Sequence, residues 1–272
     1  MLKGGGANTY QAINELAKKE RSYYLVKNDD GQVGWEKREI ENGNSLSFAD
    51  VAILKYSSAN GKYIVIPYHA YYLYTDFLID VLEQSGRYDC IVELGCGYGK
   101  NLFSIFYSGG PRDVPYFGGE FTKSGVEIAT ELAKATPNMN ATFFHFNHLT
   151  PDISIIKKYK FKRAFVFTAH TIEQVKQIPS NWFKEVSNIA ENVRCVHLEP
   201  YGFQTKILGE TSKQHKEFMI QQGWNLNFIQ ELLDAQNRGE IVIDDTVLEI
   251  GCPSDPTNPG SIAIWHSLKN PA

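Results

Sequence analysis

The chain has 272 residues, 43% hydrophobic and 21% charged, and its 27 basic and 31 acidic side chains leave a formal net charge of −4. That composition excludes collagenous, low-complexity and largely disordered chains, and the acidic balance argues against a nucleic-acid partner, whose phosphates favour a basic surface. The length suits one elaborated domain of the ~100–200 residue class, or one domain with an appendage, and it needs no metal or disulfide staple.

Residues 1–66 carry a short amphipathic segment, Tyr10–Leu16, and then the turn signals NDDG at 28–31, ENGN at 41–44 and SANG at 58–61. Short runs such as Lys62–Pro67 between such turns predict strands or hairpins, forming an N-terminal cap ahead of a main domain over 67–272. In YYLYTDFLIDVLEQ (71–84), Leu73, Phe77, Leu78, Val81 and Leu82 recur at helical spacing, which predicts a buried helix. From residue 89 strand and helix signals alternate. CIVEL (90–94), PYFGGEF (115–121), ATFFHFN (141–147), RAFVFTA (163–169) and VRCVHLEP (193–200) read as strands. KSGVEIATELAKAT (123–136) reads as a helix with Val126, Ala129, Leu132 and Ala133 on one face. Such alternation predicts a parallel sheet with helices on both faces. Beyond residue 200 come helices near 211–222 and 226–237, then strands at 241–250 and 261–266 joined by the Pro- and Gly-rich GCPSDPTNPG, a long hairpin loop.

The four cysteines, Cys90, Cys96, Cys195 and Cys252, include no C-x-x-C pair, so zinc-ribbon and thioredoxin spacings are absent and a reducing compartment is the plainer reading. Residues 1–22 lack the apolar core of a signal peptide, and no apolar run approaches the ~20 residues of a membrane span. The expectation is a cytoplasmic protein with no membrane partner; a homo-oligomer stays open. His145 and His148 lie three apart, but in a predicted strand and turn they need not share a face, so no metal is assigned.

The segment Glu93-Leu94-Gly95-Cys96-Gly97-Tyr98-Gly99-Lys100-Asn101 ends a predicted strand and opens a predicted helix. Glycines there let the backbone turn tightly and let a ligand touch the main chain, while the helix start offers free N–H donors. A dinucleotide loop, G-x-G-x-x-G, would place its third glycine at residue 100, which is Lys100. An acid near the end of the next strand, Glu120, can accept hydrogen bonds from ribose hydroxyls, which supports a nucleoside without choosing its kind.

With its acid, E-x-G-x-G-x-G resembles motif I of the class I S-adenosylmethionine-dependent methyltransferases. The resemblance covers about 89–200. It implies a Rossmann-like, doubly wound α/β fold: a seven-stranded sheet, mostly parallel, with an antiparallel C-terminal strand, here preceded by the N-terminal cap. It also implies S-adenosylmethionine as cofactor, with Glu93, Gly95, Cys96, Gly97, Gly99, Asn101 and Glu120 around it. Where the family often places an adenine-binding acid, this chain has Asn147, which can still accept through its side-chain oxygen, followed by His148, which could flank the ring. Asn147 reads equally as a turn residue, and for His148 a surface position is the plainer reading.

After the fourth strand the family often places acceptor-contacting residues, and here His170 stands as candidate general base, with Glu173 three residues on to orient it. A plain helix start, capped by Thr168 or Thr171, is the competing reading of this segment. His197 and Glu199 after the fifth strand, and Tyr68 and Tyr71 from the cluster Tyr68, His69, Tyr71, Tyr72 and Tyr74, are expected to line the acceptor pocket. The expected activity is methyl transfer to an O or N atom of a small polar metabolite, such as a sugar or glycan precursor. The alternatives are an NAD(P)-dependent oxidoreductase and a catalytically inactive S-adenosylmethionine-binding module.

Overall fold

The structure, a computed structural model, describes residues 23–27, 33–37, 56–59, 62–65, 70–250 and 260–268. In the first stretch β1 (Tyr23–Lys27) pairs with β2 (Val33–Lys37) and β3 (Tyr56–Ala59) with β4 (Lys62–Val65), both antiparallel, around the NDDG and SANG turn signals. The Tyr10–Leu16 segment, the ENGN turn and the loop over 251–259 lie outside the described residues.

The apolar runs after residue 89 become seven strands of one sheet. They are β5 (Cys90–Leu94), β6 (Tyr116–Glu120), β7 (Ala141–His145), β8 (Arg163–Ala169), β9 (Asn192–Glu199), β10 (Ile241–Ile250) and β11 (Gly260–Ser267). Their order across the sheet is β10-β11-β9-β8-β5-β6-β7. β5 to β9 pair in parallel, whereas β11 runs antiparallel to both β9 and β10. This is the Rossmann-like sheet expected from the sequence, including its antiparallel C-terminal strand.

Eight helices accompany the sheet among the described residues: α1 (Ala70–Gln84), α2 (Lys100–Tyr107), α3 (Lys123–Lys134), α4 (Ser154–Lys157), α5 (Trp182–Ser187), α6 (Gly202–Thr205), α7 (Glu210–Gln222) and α8 (Phe228–Asn237). The Thr122 hydroxyl caps α3 by accepting the Gly125 N–H at 3.1 Å, and Gly223, left-handed at φ 68°, ends α7. The short α4 and α5 went unread in the sequence because one or two turns are too few to show an apolar stripe.

Both sheet faces are covered, which is why the strands read as near-continuous apolar runs. Alternation along β8 shows how the two cores divide. Phe165 and Phe167 pack with Leu78 and Leu82 of α1 and Phe103 and Phe106 of α2, while Ala164 and Val166 pack with Trp182 and Phe183 of α5. The chain winds outward from β5 through β6 to β7, then crosses back to place β8 on the other side of β5. At such a reversal the connections leave in opposite directions, opening a crevice beyond the C-terminal ends of β5 and β8.

Candidate active site

The glycine segment forms the floor of that crevice. Gly95, Gly97 and Gly99 adopt φ values of 87°, 55° and 85°. A Cβ on Gly95 would collide with the Thr171 side chain, and one on Gly99 would come within 3.0 Å of Phe103 and Phe143. A Cβ on Gly97 would meet nothing within 4 Å. The turn is tied to the next strand: the Gly95 and Cys96 N–H groups donate to the Gly119 carbonyl at 2.7 and 2.9 Å, and the Gly97 N–H donates to Glu120 Oε2 at 3.0 Å. The Cys96 side chain is buried against Gly118, so only its backbone belongs to the turn.

Beneath the turn Glu93 is buried, and its Oε1 accepts from Asn101 Nδ2 at 2.6 Å. Asn101 is therefore occupied inside the protein. The Leu102 backbone N–H also supports this carboxyl. Burial pushes this carboxyl up to about 8, the hydrogen bonds from Asn101 and the Leu102 N–H opposing the rise and the Glu120 charge adding to it. An acid whose pKa rises on folding leaves stability intact below its unfolded pKa, here near 4.5, and erodes it as pH climbs through the folded value. Glu93 therefore contributes a fall in melting temperature as pH rises from about 5 to 8, opposite in sign to the buried neutral His148 and His197 at the acid end of that range, and Glu93→Gln should remove that contribution. Equal slopes for the two proteins in a pH series of thermal melts would assign the titration elsewhere.

Glu120 ends β6. Its Oε1 accepts from the Thr122 N–H at 2.8 Å and the Thr122 hydroxyl at 2.7 Å, leaving Oε2 to the Gly97 N–H. Next to it Phe121 exposes 61% of its surface and sits 5.7 Å from the His145 ring. Sequence reasoning passed over Phe121, although a large apolar residue directly after a strand-end acid was a readable signal. Asn147 behaves as a turn residue, its Oδ1 accepting the Leu149 N–H at 2.9 Å.

His148 is neither at the surface nor free to flank a ligand. Its Nδ1 accepts from the Trp182 indole N–H at 3.2 Å and its Nε2 lies 3.1 Å from Thr171 Oγ1. Burial lowers its pKa to about 3, so the ring is neutral. It braces Thr171, the same side chain that closes over Gly95.

After β8 the structure brings His170 and Glu173 together. The segment 172–174 forms a 3₁₀ turn, and His170, left-handed at φ 51°, holds its Nδ1 3.1 Å from Glu173 Oε2. Its Nε2 lies 3.2 Å from the Tyr74 hydroxyl, with the two rings stacked at 5.7 Å. A Cβ on Gly260, at the start of β11, would overlap the Tyr74 hydroxyl, so the absence of a side chain there makes room for the pair. Burial pulls the His170 pKa down, but the hydrogen bond and charge of Glu173 and the charge of Glu199 outweigh it, and the net shift is upward.

Two expected pocket residues sit elsewhere. His197 is fully buried, its Nε2 accepting from the Trp265 indole N–H at 2.8 Å and its Nδ1 2.8 Å from Thr168 Oγ1. It shares a face of β9 with Cys195, and that face is covered by Trp182 and Phe183 of α5 and Phe228 of α8. Glu199, also fully buried, accepts the Thr171 N–H at 3.1 Å and the Glu173 N–H at 3.4 Å. It anchors the 170–174 turn from below, where a threonine cap was the competing expectation; neither Thr168 nor Thr171 caps that turn through its side chain. Burial and the Glu173 charge raise the Glu199 pKa to about 7, against opposing contributions from His170, Thr168 and the Thr171 N–H.

Tyr68 and the side chain of Tyr71 lie outside the described residues. Tyr74 is the tyrosine that reaches His170, and it shares a helical face with Phe77, Leu78 and Val81, a spacing present in the sequence. Among the described residues no His, Cys, Asp or Glu cluster is arranged to hold a metal ion, and no helix is long and apolar enough to cross a membrane.

No protein-family model matches the chain, and no curated protein matches it by sequence. Solved structures do. The O-methyltransferase from Bacillus cereus, solved in complex with SAH, aligns at TM-score 0.50 and 10% identity over 72% of this chain and 81% of that one. A SAM-dependent methyltransferase from Aquifex aeolicus aligns at TM-score 0.44 and 14% identity over 70% of this chain and 89% of that one. At such identities the likeness is one of fold.

Proposed function

We propose that the chain transfers a methyl group from S-adenosylmethionine to an oxygen or nitrogen of a small polar molecule, with His170 as the base. The turn at 95–99 carries this reading. Its middle glycine alone borders free volume, while its neighbours are closed by Thr171, Phe103 and Phe143, as suits a loop lying under a nucleoside. The surrounding groups fit an adenosyl amino acid. Glu120 Oε2 takes only the Gly97 N–H and keeps a lone pair for a ribose hydroxyl. Phe121 offers an apolar ring to a purine.

A sulfonium bound there supplies an already activated methyl group, so the residues need chiefly to position the acceptor and take its proton. With Nδ1–H donating to Glu173, the neutral His170 ring keeps Nε2 as acceptor, the atom now facing the Tyr74 hydroxyl. An acceptor hydroxyl or protonated amine reaching Nε2 loses its proton there. Glu199 holds the turn that carries the pair.

Calorimetric titration with S-adenosylhomocysteine, run beside NADH, tests the reading. Micromolar binding of the first and none of the second is expected, with Glu120→Ala weakening it by at least about tenfold through loss of a charged hydrogen bond. Binding of NADH alone, or of neither ligand by folded protein, overturns it.

A further inference from the structure

At the opposite end of the strands from the crevice, the starts of β8 and β9 and the end of β11 line an open cavity of about 360 Å³. Its polar walls are Ser85, Tyr88, Arg163, Asn192, Arg194 and His266. The Arg163 guanidinium lies 5.0 Å from the Tyr88 ring centre and donates to the Ser85 carbonyl at 2.7 Å. Arg194 Nη1 is 3.9 Å from Asp244, and that carboxylate is also engaged by His266 Nδ1 at 2.7 Å. Two guanidinium groups thus line one cavity, Arg194 beside the Asp244 carboxylate and Arg163 on the Ser85 carbonyl.

The hydrogen-bond inventory is unbalanced in the same direction. Arg194 Nε is buried and meets no hydrogen-bond partner among the described residues, and the buried Tyr88 hydroxyl has only Ser85 beside it. The Asn192 amide donates outward to the Lys162 carbonyl at 3.1 Å. A buried donor left unpaired is unfavourable, so Arg194 Nε beside this cavity calls for an acceptor. A guanidinium fork matches the oxygens of a carboxylate or phosphate, and the volume falls in the range of ~300–1,000 Å³ usual for small-molecule sites. None of these residues serves the crevice, so the inference stands apart from the proposed activity.

We propose that this cavity binds a small molecule through an oxyanion head, a phosphate or a carboxylate, held by Arg194, Arg163 and Tyr88. The test follows the Arg194 Nε–H signal by NMR while inorganic phosphate or succinate is added at constant ionic strength. A saturable shift is expected, weakened at least about tenfold in Tyr88→Phe and in Arg194→Lys, with S-adenosylhomocysteine titrations unchanged in both. Saturation by phosphate alone, succinate alone or both identifies the head group. A drift that never saturates, or affinities equal in wild type and variants, overturns the proposal and leaves a water-filled cavity. If Arg194→Lys fails to fold, Tyr88→Phe, which removes a single oxygen, decides.

Discussion

Gly95→Val should abolish folding or lower stability by at least about 4 kcal/mol, because two independent obstacles coincide at this position. The residue holds φ 87°, which a β-branched side chain resists, and the space a Cβ would need is filled by Thr171. Thr171 has little room to yield, since His148 contacts its hydroxyl and Glu199 its N–H. Gly97→Ala supplies the contrast. At φ 55° with open space around the Cβ, it should cost only about 1–2 kcal/mol. Yet that space is where the proposed ligand lies, so Gly97→Ala should weaken S-adenosylhomocysteine binding far more than it lowers stability. Denaturant melts and calorimetry on the two variants separate the effects. Wild-type stability in Gly95→Val would disprove the tight closure of Thr171 over the turn.

The second large effect belongs to His170. If it takes the acceptor's proton, His170→Gln should reduce turnover by about 10²–10⁴ while leaving cofactor affinity unchanged. The ring must be neutral to act, and its pKa is raised, so activity should climb with pH through a value above the ordinary 6.5. Glu173→Gln removes the main cause of the rise while burial persists, so the titration should move to lower pH. Histidine NMR reads that movement without any acceptor in hand. A His170 resonance that titrates identically in Glu173→Gln would break the link between the two residues.

The legible parts of this molecule are those decided by neighbours in sequence. An apolar pentapeptide ending in spaced glycines could hardly be other than β5 and its turn, and the i, i+3 relation of His170 and Glu173 survives because one short turn sets it. Tyr74 is equally readable, one helical turn before Leu78, but the dense run of tyrosines around it gives no local sign of which ring meets His170. His197 and Glu199 were not readable. Whether the end of β9 meets solvent or protein depends on Trp182, Phe228 and the later strand β11, and no local pattern announces those contacts. The same holds for His148, whose role depends on Trp182, thirty-four positions away.

The position of β11 has a consequence for how this protein is made. Synthesis delivers its residues after every other strand, yet they lie between β9 and β10 and bury Trp265 against His197. Until residues 260–267 emerge from the ribosome, β9 presents an open row of backbone donors and acceptors and β10 has no partner in the sheet. Without β11 the sheet is reduced to the five strands β9-β8-β5-β6-β7 with β9 at its border, an edge that chaperones can hold and neighbouring copies can pair with.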